Sequence, residues 1–239
     1  MCAAERNLTR REAKLVDDLV KLYIAHQTTI RIFQNQVLAV LTEKENPLAK
    51  YVHSFRWRMK DPEHLREKLI RKIREAKAAK KPFLVNPGNL FGKVNDLVGF
   101  RILHLHTRQI TEIDKELRIL LKQARYCISE KPFARTWDDE TREFFDGMGI
   151  KTQKSGPSMY TSVHYIIDSN SQTRYTAKIQ VRTLAEELWG EVSHAIDYPD
   201  ECSDVGCREQ IRVLARVTSS CSRLVDAIFR THKDFVSRA

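Results

Sequence analysis

The apolar and polar positions divide the chain into alternating helical and extended segments. Thr9 and Glu12 have capping-box spacing, and Leu15, Leu19, Leu22, Phe33, Val37 and Val40 recur at helical intervals, which predicts one or two helices over 10–44 ended by Asn46-Pro47. Val52, Phe55, Trp57 and Met59 predict a strand over 51–59, and Asp61-Pro62 supplies the N-cap and first position of a helix to about residue 79 with Leu65, Leu69, Ile73 and Ala76 inward. "KKPFLVNPGNLFGK" reads as a loop and "DLVGFRILHL", residues 96–105, as a hydrophobic strand in which Gly99 permits close backbone approach. A helix over about 108–124, an irregular polar segment to about 157, strands over 159–168 and 174–182, and helices over about 183–196 and 206–236 complete the pattern. In the last strand a period of two sets Tyr175, Ala177, Ile179 and Val181 on one face and Thr176, Lys178, Gln180 and Arg182 on the other. The fold class expected is α+β, a mixed sheet flanked by helices with helical extensions at both ends.

Length and composition narrow the picture. A chain of 239 residues can bury a substantial core. No apolar run has signal-peptide length near the start and nowhere do 18 apolar residues occur together, so the expectation is a cytoplasmic protein with no membrane partner. The five cysteines (Cys2, Cys127, Cys202, Cys207, Cys221) are odd in number and lack zinc-site spacing, which reads as reduced thiols. In the last helix Leu214, Val217, Cys221, Leu224 and Ile228 form an apolar stripe that either packs on its own domain or pairs with another subunit.

Charge changes the picture most. The formal net charge is +10, and residues 56–81 alone carry eleven Lys or Arg against four acids. Such a balance favours a polyanionic partner, nucleotide phosphates or RNA. Arg56, Arg58 and Lys60 alternate on one strand face, while Lys68 and Arg71 lie three apart on the next helix, so cations from two neighbouring elements can converge on one triphosphate. There is no glycine-rich phosphate loop, so side chains would hold the phosphates. "MYTSVHYII" sets Tyr160, Ser162 and His164 on one strand face, able to stack on a base and to hydrogen-bond ribose or phosphate.

Taken in order, "RMKDPEHLREKLIR", "DLVGFRI", "MYTSVHY" and "KIQVRTLAEELWGEVSH" resemble the RelA/SpoT-type alarmone synthetases over roughly residues 50–200. The resemblance implies a nucleotidyltransferase-like synthetase sheet and a small, single-domain form of the family. It divides the chain into a helical extension (1–48), a catalytic domain (49–200) and a C-terminal helix (201–239). It implies pyrophosphate transfer from ATP to the 3′-hydroxyl of GDP or GTP. Arg58, Lys60, Lys68, Arg71 and Arg101 are then ATP-binding cations, and Asp96 is a catalytic residue and ligand of Mg2+. Tyr160 would stack on the acceptor base with His164 beside it, and Gln180 and Arg182 match the family's "QxRT" signature.

The sequence departs from the family at Lys178, which stands where the family has a catalytic glutamate. Three readings follow: an inactivated variant, a nucleotide-binding pseudoenzyme, or an enzyme in which Glu187 or Glu191 substitutes. Met159 replaces a usual glycine and His64 a common serine. The family also implies further partners: tRNA as an alternative acceptor, a homo-oligomer, and an antitoxin.

Overall fold

The computed structural model describes residues 8–154, 158–197 and 202–238. Helix α1 (Arg10–Thr42) is one continuous helix opened by the Thr9/Glu12 capping box. Asn46 then caps a short 3-10 turn, Pro47–Lys50, ahead of strand β1 (Ser54–Met59). Asp61 accepts from the backbone N–H groups of Glu63 and His64 to start α2 (Pro62–Ala78). The segment that reads as a loop contains one short helical turn, α3 (Leu90–Lys93), before β2 (Val98–His104). A second 3-10 turn, Thr107–Gln109, precedes α4 (Ile110–Gln123).

The stretch after α4, expected to be irregular, is ordered as β3 (Cys127–Thr136), α5 (Asp139–Gly147) and β4 (Lys151–Lys154). Pro132 and three charges interrupt any alternation in β3, and its register against β5 shifts twice, between Ile128 and Glu130 and between Glu130 and Phe133. A bulged strand loses the period that a sequence pattern depends on. The chain ends with β5 (Ser162–Asp168), β6 (Thr176–Thr183), α6 (Leu184–Asp197) and α7 (Val205–Val236).

The six strands form one mixed sheet in the order β1-β2-β6-β5-β3-β4. Pairs β2/β6 and β3/β4 are parallel and the rest antiparallel. One face is apolar and covered by α1, α2 and α4: Val98, Phe100, Ile102, Val163, Ala177, Ile179 and Val181 are buried with Leu19, Leu69 and Leu117 in one core. Burying such side chains contributes about 1.5–3 kcal/mol each. Polar links fix the helices on this face. Tyr165 donates to Asp114 on α4 (2.6 Å), His26 on α1 meets the Tyr175 hydroxyl (2.7 Å), and Tyr23 donates to the Lys60 carbonyl (2.5 Å). The other face carries the polar residues of β6 and is crossed by α6.

Helix α7 packs on α6 through Ile211, Ala215, Thr218 and Ser222, with Ser222 Oγ 2.9 Å from Thr183 Oγ1. Of the apolar stripe of α7 only Leu214 joins this packing, against Trp189, Ile211 and Ala215. Val217, Leu224 and Ile228 are exposed, on the side away from the buried Ile211, Ala215, Thr218 and Ser222. Cys127, Cys202, Cys207 and Cys221 form no disulfide, and Cys2 lies outside the described residues. Among the described residues no helix is long and apolar enough to cross a membrane.

Candidate functional site

The register of the sheet assembles the polar face rung by rung. Arg58 on β1 lies opposite Gly99 on β2, which lies opposite Lys178 on β6. The next rung runs Arg56, Arg101, Gln180, His164 and Phe133 across five strands. Side chains of alternate residues share a face, so these rungs present Arg56, Arg58, Arg101, Lys178, Gln180 and His164 together. Arg135, two residues beyond Phe133, joins them. Gly99 places no side chain between Arg58 and Lys178, leaving the backbone approachable there.

Two clefts open on this face and share Arg58, Arg101, Gln180 and His194. The smaller, about 220 Å³, adds Arg56, the half-exposed Trp57 and Glu191. The larger, about 400 Å³, adds Arg135, Tyr160, His164, Lys178, Arg182 and Trp189. Tyr160 precedes β5 rather than lying on it, yet its ring stays 5.9 Å from that of His164. Gln180 donates to its hydroxyl (2.5 Å), and the Arg182 guanidinium sits 5.4 Å above its ring. His164 is buried and neither ring nitrogen has a hydrogen-bond partner. Burial, then the nearby charges of Lys178, Arg135 and Arg182, push its pKa well below the ordinary histidine value, so the ring is neutral at pH 7.

The arginines are positioned by α6. Glu187, 6% exposed, accepts from Arg101 (2.8 Å) and Arg56 (3.0 Å) and pairs with Arg182. Glu191 pairs with Arg101 and Arg56. Both acids that the sequence offers as substitutes for the missing glutamate are thus engaged by arginines. Thr183 and Glu186 cap the start of α6 reciprocally (2.9 and 3.2 Å), and Gly190 lets the helix lie against Arg182. A Cβ at Gly190 would stand 2.6 Å from Arg182 Nη1.

A second cluster lies at the β1–α2 corner. Asp96 Oδ1 accepts from Lys68 Nζ (2.5 Å) and Oδ2 from Lys60 Nζ (3.2 Å). Burial works to raise the Asp96 pKa, but Lys68 and Lys60 overrule it and hold the carboxyl at about 2. Burial, reinforced by the charge of Arg135, lowers Lys178 to about 8 despite the pull of Asp96. Lys178 is the group that feels both the Asp96 cluster and the cleft. Arg71 is exposed and pairs with Glu75 (3.8 Å) along α2, and it lines neither cleft.

The donor set does not fit the magnesium site that the resemblance implies. Both Asp96 oxygens already accept from ammonium groups and position 178 supplies a third cation, whereas Mg2+ requires oxygen ligands. Among the described residues no three His, Cys, Asp or Glu side chains are grouped to hold a metal ion.

Several contributors escaped the sequence reading. Arg135 lies in the bulged strand with no legible period, while Gly190, Ser193 and His194 stand in a recognisable motif but gain their place only when α6 folds across the sheet.

The model of the family described as "Region found in RelA / SpoT proteins" matches residues 57–203. No curated protein matches the sequence. Among solved structures the chain is similar to the small alarmone synthetase 1 from Bacillus subtilis at 15% identity and a TM-score of 0.53, covering 91% of this chain and 99% of that one. The same enzyme bound to its product pppGpp gives 15% identity and a TM-score of 0.56, over 90% and 96% of the two chains. A GTP pyrophosphokinase family protein from Streptococcus pneumoniae gives 16% identity and 0.53, over 95% and 97%. At such identities the likeness is one of fold.

Proposed function

The chain belongs to the family that carries the region found in RelA and SpoT proteins, and from that premise we propose that it binds ATP and a guanosine nucleotide on the polar sheet face and transfers pyrophosphate from ATP to the acceptor's ribose 3′-hydroxyl. The observation that supports this most is a single face on which Arg58, Arg101, Gln180 and Arg182 line a cleft ending in Tyr160 and His164. A Bacillus subtilis small alarmone synthetase with this fold has been solved with pppGpp and with AMPCPP, a guanosine polyphosphate and an ATP analogue.

In this reading Arg58 and Arg101 hold the triphosphate from the cleft and Lys60 and Lys68 from the Asp96 corner, while Arg71, exposed on α2, lies outside both clefts. Tyr160 carries the acceptor base, Gln180 fixes the tyrosine, and Glu187 keeps the arginine forks aimed at phosphate oxygens. In the reaction the 3′-oxygen bonds to the β-phosphorus, the bond from that phosphorus to the bridging oxygen breaks, and AMP leaves with that oxygen. The hydroxyl proton passes to water, since burial and the charges of Lys178, Arg135 and Arg182 disfavour a protonated His164. Mg2+ would enter as the counter-ion of the nucleotide rather than on ligands of the protein.

Lys178 favours a second reading, nucleotide binding without transfer, because a protonated amine cannot take up the acceptor's proton as glutamate does. One assay separates the two. The chain and its Lys178→Glu variant are each given ATP labelled in the terminal phosphates, with GDP, GTP, ATP or tRNA as acceptor. Labelled guanosine product from the chain itself supports the enzyme. Product only from Lys178→Glu supports a binding protein built on a competent site, and a labelled tRNA 3′ end would replace the nucleotide acceptor. No product from either variant refutes transfer.

A further inference from the structure

The environment of Asp96 sets this chain apart from a site built to chelate a metal. The family's site, as the resemblance implies it, pairs Asp96 with an acid at position 178. Here Lys60 and Lys68 each donate to one oxygen of Asp96, and Lys178 stands on the adjacent strand, near enough for its charge and those of Asp96 and Lys68 to be felt mutually. Two ammonium groups bind one carboxylate, and the charge of a third reaches it. Glu187 and Glu191 are engaged by Arg56, Arg101 and Arg182, and Asp197, which lines the larger cleft, accepts from Ser193 and the Cys202 backbone N–H at the α6 end. A divalent cation entering here would be repelled, whereas a polyphosphate would meet preplaced positive charge.

Gly99 gives that charge a path to the ligand. It lies opposite Lys178 on one side and Arg58 on the other, and it carries no side chain. A chain of phosphates laid over Gly99, which lines the smaller cleft, has Arg58 on the strand to one side and, on the strand to the other, Lys178, which lines the larger cleft. Asp96 in turn fixes Lys60 and Lys68 at the β1–α2 corner, outside both clefts but with Asp96 and Lys68 in electrostatic reach of Lys178, acting as their anchor rather than as a ligand.

We propose that Lys178, with Lys60 and Lys68 anchored on Asp96, clamps the donor's polyphosphate directly, so that this chain binds its nucleotide without needing a divalent cation. The inference rests on the nucleotide-binding reading of the cleft. It makes Lys178 a specificity-determining residue with a positive task, not merely the loss of an acid.

The test is equilibrium binding of AMPCPP to the full chain in excess Mg2+ and in EDTA, with Lys178→Glu and Lys178→Gln alongside and a melting scan to confirm folding. The wild-type dissociation constant should differ by less than about threefold between the two conditions, while Lys178→Glu should bind at least about tenfold more weakly in EDTA than in Mg2+. Lys178→Gln should bind about tenfold more weakly than wild type in EDTA, for loss of one ammonium–phosphate contact. A wild-type chain that loses tenfold or more of its affinity in EDTA overturns the clamp and leaves nucleotide binding standing; this arm decides even if a variant fails to fold. No binding of AMPCPP by the wild type in either condition overturns the nucleotide reading, and the clamp with it.

Discussion

Replacing Lys178 by methionine should make the ligand-free protein more stable. The ammonium is held in a half-buried position beside Arg135 and Lys68, and its pKa falls from 10.5 to about 8. The sign follows from proton linkage. The unfolded chain holds the proton up to pH 10.5 and the folded chain gives it up near 8, so the charged form works against folding at pH 7 and the penalty fades as pH rises between those values. At 1.36 kcal/mol per pH unit the full shift corresponds to roughly 3 kcal/mol, and relaxation and residual solvent reduce it to about 1–2 kcal/mol. Methionine keeps the length of the apolar stem and removes the charge. Thermal unfolding of Lys178→Met at pH 7 should therefore show a midpoint raised by about 2–8 °C, since each kcal/mol moves a chain of this size by about 2–4 °C. The gain should shrink between pH 8 and 10.5. A gain that persists undiminished at pH 10.5 would show that packing, not charge, was responsible, and no gain at pH 7 would refute the account of the lysine as strained.

Three further perturbations probe the supports of the site. Glu187→Gln leaves Arg56, Arg101 and Arg182 without their shared carboxylate, and loss of a buried ion-pair partner should cost about 3–5 kcal/mol, read as a lowered urea midpoint. Gly190→Ala forces Arg182 from its place and should destabilise by about 1–3 kcal/mol while weakening nucleotide binding, whereas Gly147→Ala, with nothing within 4 Å of the added carbon, should do neither. Asp96→Asn should lower stability by about 1–2 kcal/mol at neutral pH. Because the Asp96 carboxyl is depressed from 3.8 to about 2, that contribution is complete above pH 3.8, and urea titrations should show it vanish as pH falls through about 2.

The elements that the sequence determined are those whose information is local. The capping box of α1, the Asp61-Pro62 start of α2 and the alternation of β6 each specify their element within a few residues, and they formed where expected. The two-faced β6 also identified the polar, cleft-bearing side of the sheet, because a period of two leaves only one face for Lys178, Gln180 and Arg182. Four ordered motifs likewise pointed to the family. Tertiary structure decided the rest. Strand β3 is held by pairing with β5 across two register shifts, and that pairing energy overrides a segment whose own pattern, broken by Pro132, favours no element. The free face of α7 could not be read from its apolar stripe, since Ile211, Ala215, Thr218 and Ser222 are buried while Val217, Leu224 and Ile228 of the stripe are exposed. Charge partnership is the clearest case. Asp96 is separated from Lys60 by 36 residues and Arg56 from Glu187 by 131, so nothing local could reveal that one acid anchors two lysines or that another gathers three arginines. An ion pair depends on distance in space, and only the folded sheet sets that distance.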